Sequence, residues 1–351
     1  MAALAPGANY AYAFTSPGQL LRQRCGLTEL AKPDRFAAVD VGSNTIHLLL
    51  ASCTETGAPR QLFRRREFVQ LGLDVATHGS IGPDRLELAA STLAAQVSEA
   101  RDRGARAFAV GATQALRSAT NGPLVADVLA SRAGLDTVRI LPPQVEAQLA
   151  FDGATLSLRA GSAALVLDIG GASAQVALGR AHEACADYSL PLGSGMITTL
   201  AASDPPTPDE WRAMERRVAE LIPDLVPPPR GTTVLGTGGT ITNLPRLLGR
   251  GKGAVLRPRD VEEVIEIFRQ VPVAALAQKL GMDLERVRLC RGGALILAQL
   301  MDLLHLSKLR ASERGLRDGM IAALARRGPD WWRPADFSAA PQSPDLVTAG
   351  V

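Results

Sequence analysis

Three short glycine-rich turns each follow an apolar run, and their residue types suit the holding of phosphate. They are Gly42-Ser43-Asn44 after FAAVDV, Gly170-Gly171-Ala172-Ser173 after LVLDI, and Gly236-Thr237-Gly238-Gly239 after TVL. A tight turn behind a strand exposes consecutive backbone N–H groups, and glycine lets an anion come close to the main chain. Asp40 and Asp168 stand at the same place ahead of the first two turns. The strand–turn–strand unit therefore occurs twice, at 36–51 and 163–179, and two such turns facing each other would clamp a phosphate chain from both sides. The chemistry this predicts is a nucleotide or polyphosphate site.

The elements that must carry these turns follow from apolar periodicity. FAAVDV and the apolar stretch 46–51 form one hairpin, and SAALVLDIGG with AQVALG forms a second. Between them the pattern predicts a helix over 83–103 opened by Pro83-Asp84, a strand ending at Thr113, a helix after Asn121-Gly122, and a strand in TVRILPP. TVLGTGGT is a third strand–turn leading into a helix, and residues 259–281 and 284–327 read as mainly helical. The proline clusters at 205–208 and 227–229 read as loops. Residues 1–34 read as a leader without the pattern of a signal peptide, and 329–351 as a disordered tail.

With 351 residues the chain suits about two domains. Only 4% of it is aromatic, which argues against base-stacking surfaces for nucleic acid, and Lys+Arg 38 against Asp+Glu 35 is too balanced for a dedicated DNA binder. Basic stretches at 64–66 and 286–291 fit either an anion track or solvated faces. Cys25, Cys53, Cys185 and Cys290 lie far apart, with no CxxC and no histidine at ligand spacing, so reduced thiols and a cytoplasmic location are expected. No apolar run is long enough for a membrane span. No GxGxxG follows the first strand and the doubled hairpins do not suit that fold, which ranks a dinucleotide-binding dehydrogenase last among the readings. His47, His78, His182 and His305 are isolated and receive no functional assignment.

The segments AAVDVGSNTIHLLLA (37–51), ATQALRSATNG (112–122), QVEAQLAFDGA (144–154), LVLDIGGASAQVALG (165–179), SLPLGSGMITTL (189–200), GTGGTI (236–241) and LRASERGLRDGM (309–320) stand in one order along the chain. In that order and spacing it resembles the exopolyphosphatase/guanosine pentaphosphate phosphatase (Ppx/GppA) family, in its short two-domain form. The resemblance implies an α/β fold of two ribonuclease-H-like domains of the actin/sugar kinase/Hsp70 superfamily, with an active-site cleft between them. Domain I would comprise 35–143 plus 311–328, and domain II 144–310. The implied activity is Mg²⁺-dependent hydrolysis of terminal phosphoanhydride bonds in inorganic polyphosphate, releasing orthophosphate, or of guanosine pentaphosphate. The resemblance also implies a homodimer, and the composition and charge above point to neither nucleic acid nor membrane as a partner.

Carried over residue by residue, the resemblance makes Glu146 the catalytic base and places Arg117 where a guanidinium would fork onto phosphate oxygens. Asp168 and Asp40 would hold the metal. Arg314 and Arg317, in a late helix expected to cross back onto the first domain, would brace the cleft. Val145, Gln148 and Gln175 depart from the family pattern. Gln175 replaces a carboxylate, and the segment DIGGASAQ is also similar to the GGASTQ motif of apyrases, in which a glutamine orients the attacking water. Gln175 is thus expected to position water while Glu146 takes its proton. The departures leave open a second reading, a weakly active or inactive sensor of polyphosphate or alarmone. A phosphotransferase is a third, since sugar kinases share the fold.

Overall fold

The computed structural model describes residues 34–53, 58–183 and 185–333. The first hairpin pairs β1 (Asp34–Val41) with β2 (Thr45–Cys53), and β2 continues into β3 (Arg60–Phe68). Helices α1 (Leu71–His78) and α2 (Pro83–Asp102) follow, then β4 (Ala107–Ala112), a helical turn at Gln114–Ser118, α3 (Gly122–Ala133) and the two-residue β5 (Arg139–Ile140). These strands form one sheet in the order β3-β2-β1-β4-β5, with β4 parallel to β1. β1 lies in the middle of this sheet and is covered on both faces, which explains its continuous apolar run. Ala37, Val39 and Val41 pack under α2 and α3, while Ala38 faces the other way.

Helix α4 (Pro143–Thr155) leads to the second half, which opens with β6 (Ala163–Ile169), β7 (Ala174–Arg180) and β8 (Cys185–Leu190). α5 (Pro208–Leu221), β9 (Thr233–Thr237), β10 (Val255–Leu256), α6 (Pro258–Gln270), α7 (Val273–Leu280), α8 (Leu284–Leu303), β11 (Leu309–Ala311) and α9 (Leu316–Arg327) complete it. The second sheet runs β10-β11-β9-β6-β7-β8. Its large core lies under α5 to α8, around Phe268, Trp211 and Leu297.

α4 is shared between the two sheets. Leu149 and Ala150 pack with Ala38, Leu49 and Met320 against the first sheet, whereas Phe151 and Ala154 pack on Val166 and Ala177 of the second. α9 lies along α4 and against β1, so the late helix does return to the first sheet. The two helices cross with backbones touching: a Cβ on Gly153 would strike the Gly315 carbonyl, and one on Gly319 the Leu149 carbonyl.

Three local expectations change. The run 284–327 is not one helical stretch, because β11 interrupts it and pairs in parallel with β9. TVRILPP supplies only the two residues of β5. The Arg64–Arg66 cluster lies within a strand, β3, at the edge of the first sheet. The expectations for residues 1–33 and 334–351 lie outside the described residues. Among the described residues no helix is long and apolar enough to cross a membrane.

Candidate active site

The duplication extends to atomic detail. The Gly42 amide donates to the Thr45 carbonyl at 3.0 Å, and the Gly170 amide to the Ser173 carbonyl at 2.9 Å. Asp40 is register partner of His47, and Asp168 of Gln175. Both hairpins thus make the same turn and place a carboxylate at the same height. The first two turns also meet: Asn44 fills the space where a side chain on Gly171 would stand, and the Gly171 carbonyl accepts from the Gly195 amide at 2.8 Å. Among the described residues the amides of Ser43, Asn44, Gly171 and Ala172 have no acceptor, which leaves them available to an anion.

The third turn closes on the second. Gly238 has φ +87°, the left-handed region glycine occupies without strain, and a Cβ there would lie 2.5 Å from the Ile169 carbonyl and 2.6 Å from Asp168 Oδ1. Asp40, Asp168, Glu146, Gln175 and all three turns line one cleft of about 590 Å³. Gly236 does not reach it. Gly236 lies inside β9, where a side chain would collide with Leu309 and Ile241, so its smallness serves packing rather than phosphate. Of the two late arginines, Arg314 lines the cleft without a carboxylate partner among the described residues, and Arg317 reaches Asp40 Oδ2 at 3.4 Å.

Glu146 sits in the first turn of α4 and is 8% exposed. Its Oε2 accepts from Arg117 Nη1 at 2.6 Å, and its Oε1 lies 3.5 Å from the Gln175 amide nitrogen, which also donates to Ser173 Oγ at 3.2 Å. Burial pushes the Glu146 carboxyl up to about 7; Arg117 opposes that rise, and the charges of Asp40 and Asp168 add to it. Burial likewise lifts Asp40 to about 6 against the pull of Arg317, with Asp168 adding to the rise, and it raises Asp168. His47, inside the same cleft, is driven well below its usual range by burial and by Arg317, Arg66, Arg286 and Arg64.

Arg117 is not placed as the sequence suggests. It does not line the cleft; its guanidinium is used on Glu146, on the Leu141 carbonyl at 2.6 Å and on Gln114 Oε1 at 2.9 Å. Its hydrogen bonds go to that carboxylate, a carbonyl and an amide, and the guanidinium itself stays off the lining of the cleft. Sequence reasoning missed Gln114, which steadies Arg117 from one helical turn away, and no motif marks it. It also left the Arg64–Arg66 and 286–291 stretches undecided, whereas Arg64, Arg66 and Arg286 all face the cleft.

The fit of a divalent cation is tested by Asp40. Its Oδ1 is buried without a hydrogen-bond partner, an orphaned anionic oxygen beside a second buried aspartate. Among the described residues no three His, Cys, Asp or Glu side chains are grouped to hold a metal. Mg²⁺ does not require such a cage, since it is commonly held by one or two carboxylates, waters and substrate phosphates. Asp40 and Asp168 fit that donor set.

A model of the Ppx/GppA phosphatase family matches residues 51–327. An uncharacterized protein of Streptomyces coelicolor is 30% identical over 337 residues, covering 90% of this chain and 99% of that one. The chain belongs to the Ppx/GppA phosphatase family. Among Ppx/GppA relatives, exopolyphosphatase 2 of Mycobacterium tuberculosis is 30% identical over 320 residues, which span 83% of this chain and 98% of that protein. A solved exopolyphosphatase from Cytophaga hutchinsonii matches with a TM-score of 0.73 at 20% identity, over 83% of this chain and 98% of that one, and shares the fold. The two-part α/β architecture that the resemblance implied is the Ppx/GppA architecture, and the chain is a phosphatase of that family.

Proposed function

We propose that this phosphatase hydrolyses the terminal phosphoanhydride bond of inorganic polyphosphate and releases orthophosphate, with Mg²⁺ held by Asp40 and Asp168. The 5′-terminal phosphate of guanosine pentaphosphate offers the same bond. The observation that carries this reading is Glu146, a buried carboxylate in a cleft lined by backbone anion cradles. Its pKa of about 7 leaves it able to take a proton near neutral pH.

The turns 42–44, 170–173 and 237–239 hold the terminal phosphate through main-chain donors. Gln175 orients the water with its amide, and Glu146 accepts the water's proton as the oxygen attacks phosphorus in line with the leaving phosphate oxygen. Arg117 keeps the Glu146 carboxylate aimed, and Arg314 and Arg317 offset charge at the cleft floor. A bound divalent cation would neutralise charge on the phosphate oxygens. A mere sensor would have no use for a buried base, so the retention of Glu146 favours turnover. The family resemblance supports a homodimer, and the buried cysteines support a reducing, cytoplasmic compartment.

Phosphate release with Mg²⁺ from long-chain polyphosphate and from guanosine pentaphosphate, measured side by side, tests this reading. Release is expected from polyphosphate, and Glu146→Gln should lower kcat about 10²–10⁴-fold, the range for a general base. Full turnover in that variant removes Glu146 from the mechanism, and no release by the wild type overturns the function.

A further inference from the structure

Gln114 opens the helical turn Gln114–Ser118 directly behind β4, and Arg117 stands one turn on, a spacing that puts both side chains on one face. Its Oε1 accepts from Arg117 Nη2 at 2.9 Å, and its Nε2 donates to Ser118 Oγ at 2.8 Å. Arg117 Nη1 is already divided between the Leu141 carbonyl and Glu146 Oε2, each at 2.6 Å. A guanidinium is a rigid plane, so fixing Nη2 fixes the direction in which Nη1 donates. The contacts run in the order Ser118, Gln114, Arg117, Glu146, Gln175, Ser173. Glu146 stands in the middle of this row, which ties the end of β4 to the second glycine turn.

Packing does not hold the Gln114 side chain. It is half-buried and lines both the catalytic cleft and a side pocket of about 330 Å³, formed with Pro143, Gln144, Tyr188 and Ser189. With open space on two sides, its hydrogen bonds set its direction. The residue type matters as much as the place. A carboxylate here would grip Arg117 more firmly but would also share the charge of the guanidinium. An amide oxygen accepts the same hydrogen bond and carries no charge. The charged groups facing Glu146 are Arg117 from the helical turn, Asp40 from β1 and Asp168 from β6. Burial and the two aspartates raise its proton affinity, and Arg117 alone of these groups lowers it. Among the described residues Glu146 is the only carboxylate that pairs with Arg117.

We propose that Gln114 is a positioning residue for the catalytic base, holding the Arg117 guanidinium toward Glu146 without competing for its charge. This rests on the reading of Glu146 as the base. Gln114 acts through Arg117, and its effect on turnover therefore disappears when that guanidinium is removed.

The test measures turnover of long-chain polyphosphate with Mg²⁺ against pH, for the wild type and for variants of the full-length protein. Gln114→Leu removes the acceptor at similar volume and should lower kcat about tenfold, with KM changed less than about twofold. Gln114→Glu keeps the acceptor and should restore most of kcat at high pH. Its added charge should move the midpoint of the pH–rate profile up by about half a unit or more. In an Arg117→Gln background, Gln114→Leu should have no further effect. Gln144→Leu, which removes an exposed amide from the side pocket, should alter neither kcat nor the midpoint. An unchanged kcat or a raised KM in Gln114→Leu, an unmoved midpoint in Gln114→Glu, or full additivity with Arg117→Gln overturns the positioning role and leaves the base in place. Full turnover by Glu146→Gln overturns the base, and the role of Gln114 with it.

Discussion

Glu146 and Arg117 are 29 residues apart and form a nearly dry ion pair at 2.6 Å. The pair fixes which way the carboxylate points and how readily it holds a proton, and the two effects are separable by pH. Because Glu146 titrates near 7 when folded, kcat/KM should rise with pH through a midpoint close to 7 in the wild type. Arg117 opposes the rise in that pKa, so Arg117→Gln should move the midpoint to higher pH, the carboxyl taking up a proton instead of standing as an unpaired buried charge. A pH–rate profile with an unmoved midpoint would show that Arg117 acts on something else. The sign for stability also follows: a carboxyl whose pKa is raised from 4.5 to about 7 contributes fully below 4.5, and its contribution is lost as pH rises through 7. Glu146→Gln should flatten that part of the Tm–pH curve. At this scale the sequence was partly legible. The position of Glu146 was marked by its flanking segment, but nothing in spacing could say that Arg117 would meet a carboxylate before it met phosphate.

α4 carries Glu146, and α9 carries Arg317, so the crossing of these helices sets the distance between the base and the aspartate–arginine pair. The crossing has room only for glycine. Gly319→Ala should cost about 1–3 kcal/mol through overpacking, seen as a lower Tm, and should depress kcat by displacing Glu146. Gly251→Ala, at a loop position with open space, should stay within about 0.5 kcal/mol and serves as the control. The hairpins, α2 and α3 were readable because apolar periods are long and their ends carry Pro83 and Gly122. β3 was not readable as a strand, since an edge strand that carries Arg60, Arg64, Arg65 and Arg66 and is exposed over most of its length shows charge where a buried strand shows apolar alternation. β11 was missed because three residues are too few to display any period.

Across the whole molecule, two copies of one hairpin bring Asp40 and Asp168 into a single cleft, and the duplicated Asp-x-Gly signal made that cleft legible before any coordinates. Its cationic wall was not, because bringing Arg66 and Arg286 into one cleft depends on how the halves pack. Ligands that bind only this assembled cleft must stabilise it. Mg²⁺ with tripolyphosphate at about 100 times Kd should add about 2.7 kcal/mol, read as a raised Tm, and Asp168→Asn should shrink that shift; an unchanged shift would remove Asp168 from the cation site. The fold also imposes a schedule on synthesis. Arg317 reaches an aspartate 277 residues earlier in the chain, from the helix that covers one face of β1. At about 5–20 residues per second, translation delays that helix by roughly 14–55 s after β1 is made. Until α9 arrives, the apolar face at Ala38, Leu49 and Ala109 has only α4 to cover it and lacks Met320, Ile321 and Leu324, a place for a chaperone to hold. The Asp40–Arg317 contact in the cleft therefore forms only after α9 has been made.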